Sequence, residues 1–212
     1  MKKSYVIAIG MILLSFIVGI YFYPQMPERM ASHWNAQGQV DGYVSRFFGL
    51  FLIPLISVGL FLLFIAIPKI DPLKRNIKTF RKYYDRFVVL IIIFLLYVYV
   101  LTILWNLGVE FNMSQLLMPA LGVLFYYCGV LLENAKRNWF IGIRTPWTLS
   151  NEKVWEKTHK VGGKLFKIAG IITAVGVFFD NALFFALVPV LVVAVYTVIY
   201  SYLEYQKLFR EL

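Results

Sequence analysis

Few side chains in this 212-residue chain could carry acid–base, metal or anion chemistry, and they gather in two polar segments. The first, Pro24 to Arg46, holds His33 together with Glu28 and Asp41. One imidazole and two carboxylates can ligate a divalent cation, but this loose spacing matches no closed metal site, and hydrogen bonding within a loop is the plainer use. No metal and no cofactor is expected. The second segment, Glu133 to His159, holds Asn134, Asn138, Arg144, Trp147, Thr148, Trp155 and His159 as candidates for binding a ligand or partner. The planar fork of Arg144 suits a carboxylate, a phosphate or several carbonyls. It acts either as a clamp pinning the loop to helix ends, with Glu133 as an available partner, or as a ligand for something outside the chain. The single cysteine, Cys128, lies in an apolar run and reads as a small buried hydrophobe, with no disulfide framework available.

The elements that position these residues are membrane-spanning. Apolar residues make up 60% of the chain and charged residues only 15%, with a mean hydropathy of +0.73. A water-soluble domain carries about 25% charged residues. Uncharged runs of bilayer length occur at Tyr5–Tyr23, Phe47–Pro68, Phe87–Leu107, Leu116–Leu132 and Ala182–Leu203. A shorter run, Ile168–Phe179, follows Lys167, whose stem can reach back to the interface, so a fifth helix is expected to start near Gly163. The first run is longer than a signal-peptide core and ends in Tyr21-Phe22-Tyr23 where small cleavage-site residues would belong, so it reads as an uncleaved helix. The fold class is an all-α integral membrane protein of six transmembrane helices in the cell membrane.

Charge placement orients the spans. Of the 21 Lys and Arg residues, all but Arg29 and Arg46 fall at the N-terminus, in Lys69–Arg86, in Lys136–Lys167 or in the tail. The positive-inside rule puts those regions and both termini in the cytoplasm, and the loop 24–46 outside. The same placement explains the net charge of +10 through anionic lipid headgroups, so the bilayer is the expected partner and direct nucleic-acid binding is not. The basic loop 69–86 is assigned that orienting role.

The external loop is longer than a helix connection requires, and its Pro27, Asn35, Gly38, Asp41 and Gly42 favour turns. A compact, ordered cap is expected, with His33, Asn35, Gly38 and Asp41 as its candidate residues. In the cytoplasmic segment, Phe140, Ile141 and Ile143 beside Trp139 and Trp147 should lie against the membrane. Pro146 disfavours helix at Thr145, and Ser150 is the expected N-cap of a short amphipathic interfacial helix over 151–159. On that helix Trp155 and His159 share a face. The domain reading is a two-helix unit over 1–68 with its cap at 24–46, the basic loop 69–86, and a four-helix unit over 87–212 with a signature loop at 134–163.

Chemistry inside the bilayer is sparse. No ionisable residue sits in the core of a span, which weakens transport, although Pro54, Pro119 and Pro189 could free carbonyls for coordination. Tyr97, Tyr99, Tyr126, Tyr127, Tyr196 and Tyr200 read as packing residues whose hydroxyls find partners on neighbouring helices. His33 and His159 fall on opposite sides of the bilayer, so a membrane enzyme built on both is disfavoured, and no catalytic residue is assigned.

The stretch Asn138-x-x-x-Gly142-x-Arg144-Thr145-Pro146-Trp147-Thr148-Leu149-Ser150-Asn151-Glu152-x-Val154-Trp155-x-x-Thr158-His159 resembles the signature of the SdpI membrane family. Asn134 and Lys136 match the approach to that signature, while Glu133 stands where the family has Gly. The segment Pro27-x-x-x-x-x-His33-Trp34-Asn35-x-x-Gly38-x-x-Asp41-Gly42 resembles the uncharacterised domain that commonly precedes it. The resemblance implies six helices and a cytoplasmic N-terminus. It also implies a membrane immunity and signalling protein that protects against a membrane-active peptide toxin met on the external side and draws a cytoplasmic repressor to the membrane. A small-solute or lipid transporter is the alternative, and a membrane enzyme a more distant one.

Overall fold

The computed structural model describes residues 3–210; Lys2, used in the charge count, lies outside them, as does the side chain of Arg210. The chain runs α1 (Lys3–Phe22), β1 (Arg29–Trp34), β2 (Val40–Ser45), α2 (Arg46–Ile70), α3 (Lys74–Thr79), α4 (Arg81–Asn106), α5 (Met113–Asn134), α6 (Pro146–Ser150), α7 (Glu152–Val175) and α8 (Ala182–Arg210). All but α3 and α6 among the helices, six in number, are long and apolar enough to cross a membrane. Large apolar side chains such as Ile17, Leu62 and Leu191 point outward, more than half exposed, as bilayer-facing residues do. The protein is a multi-pass membrane protein.

The expected fifth helix is the one that differs most. Instead of a short interfacial helix followed by a span from about Gly163, a single unbroken helix α7 runs from Glu152 through both. Its N-cap is Asn151, whose side chain accepts from the backbone N–H groups of Lys153 and Val154; Ser150 instead closes α6. Gly162 and Gly163 sit within α7 as packing positions, Gly162 against Ile143 and Thr197 and Gly163 against α5. A methyl group added at Gly163 would sit 2.8 Å from the Gly129 carbonyl of α5, and one at Gly170 would sit 2.6 Å from the Gly122 carbonyl. Two glycine pairs, seven residues apart on each helix, therefore bring the antiparallel backbones of α5 and α7 together. Lipid gives apolar side chains no reason to leave it, so close backbone packing of this kind is what holds membrane helices to one another.

Proline inside a helix leaves the carbonyl four residues earlier without a donor, which is costly in hydrocarbon. Here neighbouring helices supply the donor. The Tyr84 hydroxyl of α4 donates to the Phe64 carbonyl freed by Pro68, at 2.8 Å. The Thr173 hydroxyl of α7 donates to the Phe185 carbonyl freed by Pro189, at 3.0 Å. One turn before Pro119, the Leu116 carbonyl accepts from the Tyr97 hydroxyl at 2.8 Å. Tyr127 likewise donates to the Tyr83 carbonyl at 3.1 Å. These tyrosines are spent on helix–helix bonds, and the carbonyls freed by Pro68 and Pro189 are occupied by the protein itself.

Tyr84→Phe should lower the unfolding free energy in detergent by about 1–2 kcal/mol, because Phe64 loses its donor. In a Pro68→Ala background the same change should cost much less, since a backbone N–H returns at residue 68. Equal losses in both backgrounds, read by chemical denaturation, would show that the hydroxyl is not serving the freed carbonyl.

Candidate functional site

Two polar assemblies flank the helices. At one end, β1 and β2 form an antiparallel hairpin, Arg29 opposite Ser45 and Met30 opposite Val44, with an irregular register after Ala31. This hairpin is the expected cap. Its turn is organised by Asn35, whose Oδ1 accepts from the N–H groups of Gln37 and Gln39 at 3.0 and 2.9 Å. Gly38 takes a φ of 78°, which a side chain would strain, and its Cα lies against the Asn112 side chain. His33 Nδ1 and Asp41 Oδ1 are 2.5 Å apart on the exposed face. Among the described residues, no three His, Cys, Asp or Glu side chains come together as a metal site.

One side-chain amide, a methionine and a tryptophan pair fix the hairpin to the helices. Asn106, the last residue of α4, accepts from the Ala31 N–H at 2.8 Å and donates to the Ala31 carbonyl at 3.0 Å, pairing with β1 as another strand would. Met30 is fully buried against Gly49 of α2, beside Met26, Leu50, Tyr99 and Ile103. Trp34 meets Trp105 edge to face.

The opposite end carries the loop 135–151, built around Asn138. This fully buried side chain makes all four hydrogen bonds open to an amide. It donates to the carbonyls of Lys136 and Ile141 and accepts from the N–H groups of Phe140 and Ile141. Asp71, buried just past the end of α2, accepts from the Trp139 N–H at 2.9 Å and the Leu73 N–H at 2.6 Å. Asn76 of α3 donates to the Arg137 carbonyl at 2.7 Å. The segment 69–86 is thus stapled to this loop, a role its basic composition conceals. Asp71 is the one acid between Lys69 and Lys82, and that isolation was the available signal.

Gly142 and His159 form the next layer. The Ile143 N–H donates to His159 Nε2 at 3.0 Å, and His159 Nδ1 contacts the Trp155 carbonyl at 2.9 Å. Together these select the neutral tautomer with its proton on Nδ1, donating to Trp155. Both ring nitrogens are committed to backbone. The Trp155 ring stacks on the imidazole at 3.8 Å between centroids, and its Nε1 donates to the Ala135 carbonyl. Gly142, with a φ of 120°, lies against the imidazole where a side chain would collide. Trp155 and His159 share a face, as their spacing requires, and that face is buried.

Thr145 and Thr148 cap α6 reciprocally, and Thr148 also donates to the Ile143 carbonyl at 2.8 Å. Thr145 Oγ1 reaches Ser201 Oγ of α8 at 3.0 Å. Trp147 packs on Tyr202. Arg144 is exposed and donates to the Trp139 carbonyl at 2.7 Å. Its expected partner Glu133 pairs instead with Lys167, at 2.5 Å across α5 and α7. Asn134 donates to the Val130 carbonyl and, with His159, lines a cleft of about 380 Å³ between the end of α5 and the start of α7.

Residues 134–201, which begin at that cleft and end at the Ser201 tie to Thr145, match the SdpI/YfhL protein family. Residues 10–58, which contain the hairpin, match a domain of unknown function (DUF1648). Over 210 residues, 98% of this chain and 98% of the relative, the sequence is 30% identical to Immunity protein SdpI of Bacillus subtilis (strain 168). The chain belongs to the SdpI family. No solved structure matches it. Within the SdpI region, Asn138, Gly142, Thr148 and His159 are spent on shaping the loop, and Arg144 and Trp147 stand at its rim.

Asn138→Ala should therefore remove four hydrogen bonds at once and cost about 2–4 kcal/mol of stability. Thermal unfolding in detergent, followed by the fluorescence of Trp139 and Trp147, reads the change. An unaltered melting temperature would mean that the loop holds its shape without this amide.

Proposed function

We propose that this protein is a membrane immunity and signalling protein. Its hairpin faces outward and meets a membrane-active peptide toxin, and its 135–151 loop faces the cytoplasm and engages a regulator such as a small repressor. The observation that carries this reading is the end-to-end similarity to Immunity protein SdpI, which includes both polar assemblies. Charge placement supports the orientation, with 19 of 21 basic residues outside the cap-side loop.

The geometry supplies a route between the two ends. Helix α4 holds the hairpin through Asn106 at one end, and at the other its Tyr84 packs with Trp155, Ile77 and Phe80 beneath the loop. A peptide that favours one placement of the hairpin would bias α4, and with it the loop, provided the two placements differ in affinity for the peptide. Arg144 extends from the loop on a single carbonyl bond, so its remaining donors suit an acidic group on a partner.

Alkaline phosphatase fused after Gln37 should be active, whereas fusions after Asn76 or Ser150 should be inactive; the reverse pattern would refute the orientation. Cells expressing the protein should resist depolarisation by a pore-forming peptide toxin. Arg144→Ala should leave membrane levels and melting temperature nearly unchanged, within about 0.5 kcal/mol as for a surface substitution, while abolishing the response. Protection that survives both Arg144→Ala and deletion of residues 29–45 would sink the mechanism.

A further inference from the structure

The first four turns of α7 carry lysines at 153, 157, 160, 164 and 167, a spacing of four and three that places all five on one side of the helix. The opposite side, with Val154, Trp155, Thr158, Gly162 and Gly163, is buried. Two of the five meet anions of the chain itself: Lys157 pairs with Glu204 of α8 at 2.7 Å, and Lys167 with Glu133 at 2.5 Å. Lys160 and Lys164, between them, pair with no acidic side chain among the described residues and line the 380 Å³ cleft with Asn134 and His159. The cleft's two acids are already engaged, Glu133 by Lys167 and Glu156 by Lys136 at 2.7 Å. The cleft therefore presents two uncompensated positive charges.

Their depth decides what can neutralise them. The contact of Gly163 with Gly129 sets Lys164 level with Cys128, six residues before α5 ends at Asn134. At 1.5 Å per residue that is roughly 9 Å short of the end of α5, alongside residues of its apolar run. Helical side chains lean toward the N-terminus of their helix, so Lys164 rises into the cleft rather than into lipid. At the same end of the bundle, Tyr196 and Tyr200 stack on α8, where an aromatic side chain with one wet end belongs to the membrane–water boundary. A cation unpaired at that level draws an anion from the headgroup layer.

We infer that the cleft between α5 and α7 binds the phosphate of an anionic phospholipid, held by the ammonium groups of Lys160 and Lys164. The shared chemistry is a phosphate anion, and the depth assigns it to a lipid headgroup rather than to free phosphate. The site is separate from the hairpin and from Arg144, and stands whether or not the immunity reading does.

The test uses the full chain, delipidated in a neutral maltoside detergent and titrated with phosphatidylglycerol, phosphatidylcholine or inorganic phosphate. Retained lipid is counted by native mass spectrometry, and the melting temperature is followed. Phosphatidylglycerol should be retained and should raise the melting temperature, phosphatidylcholine should do neither, and the Lys160→Gln/Lys164→Gln double variant should need at least about tenfold more phosphatidylglycerol. Lys74→Gln/Lys78→Gln, equal in charge change and outside the cleft's lining, should behave as the parent. Equal weakening in the two double variants, or equal retention of phosphatidylcholine, would overturn the site. Inorganic phosphate reproducing the whole shift would overturn the lipid assignment, as would an acidic peptide that displaces the lipid and stabilises the protein more than the lipid does.

Discussion

The approach of α5 and α7, backbone against backbone through Gly129 with Gly163 and Gly122 with Gly170, is the contact on which the rest of the molecule depends. It sets the level of every residue on α7 relative to the end of α5. Trp155 consequently reaches the Ala135 carbonyl, His159 meets the loop at Ile143, and Lys167 meets Glu133. A side chain at either pair would push the helices apart and move all three contacts together. In a bilayer, where apolar surface gains nothing by leaving lipid, such close packing supplies the adhesion that water supplies in soluble proteins.

The second constraint is that polar backbone cannot be left unpaired in hydrocarbon. Prolines in three spans are tolerated because tyrosine and threonine hydroxyls on other helices reach the turns they disturb. The same demand explains the loop at 135–151. Outside α6 its backbone has no helix or sheet to satisfy it, so the side chains of Asn138, Asp71, Asn76, Thr148 and His159 do so instead. What looks in sequence like a ligand-binding motif is in large part the scaffold that lets an irregular chain lie beside a membrane. The residues left facing outward, Arg144 and the pair Lys160 and Lys164, are where an external partner can be met.

Much of the architecture was legible because bilayer thickness writes itself into run length: five of the six spans lie where uncharged runs place them. The fifth was legible only in part: residues 151–159 read as a separate interfacial helix and the span as starting near Gly163. The lysines from Lys153 to Lys167 count against a span, whereas on one continuous helix they occupy a single side. The hairpin's order was foreseen from its turn residues, but not its tie to Asn106, 75 residues beyond Ala31. Within the signature loop, the shared face of Trp155 and His159 followed from their spacing. Asp71 was missed because nothing local announces a bond to residue 139. The seven-residue glycine spacing on two different helices was visible, but its meaning requires knowing that the helices are neighbours.

The attachment of the hairpin to Asn106 also fixes an order of events during synthesis. The chain is made from its N-terminus, so strands β1 and β2 exist well before the residue that pins them. Roughly sixty residues separate Ser45 from Asn106, several seconds of translation at about 5–20 residues per second. A lone two-stranded hairpin is marginal in water. The cap therefore completes its attachment only after the helix ending at Asn106 has been threaded into the bilayer, and a fully pinned cap requires that end of the helix to lie on the hairpin's side.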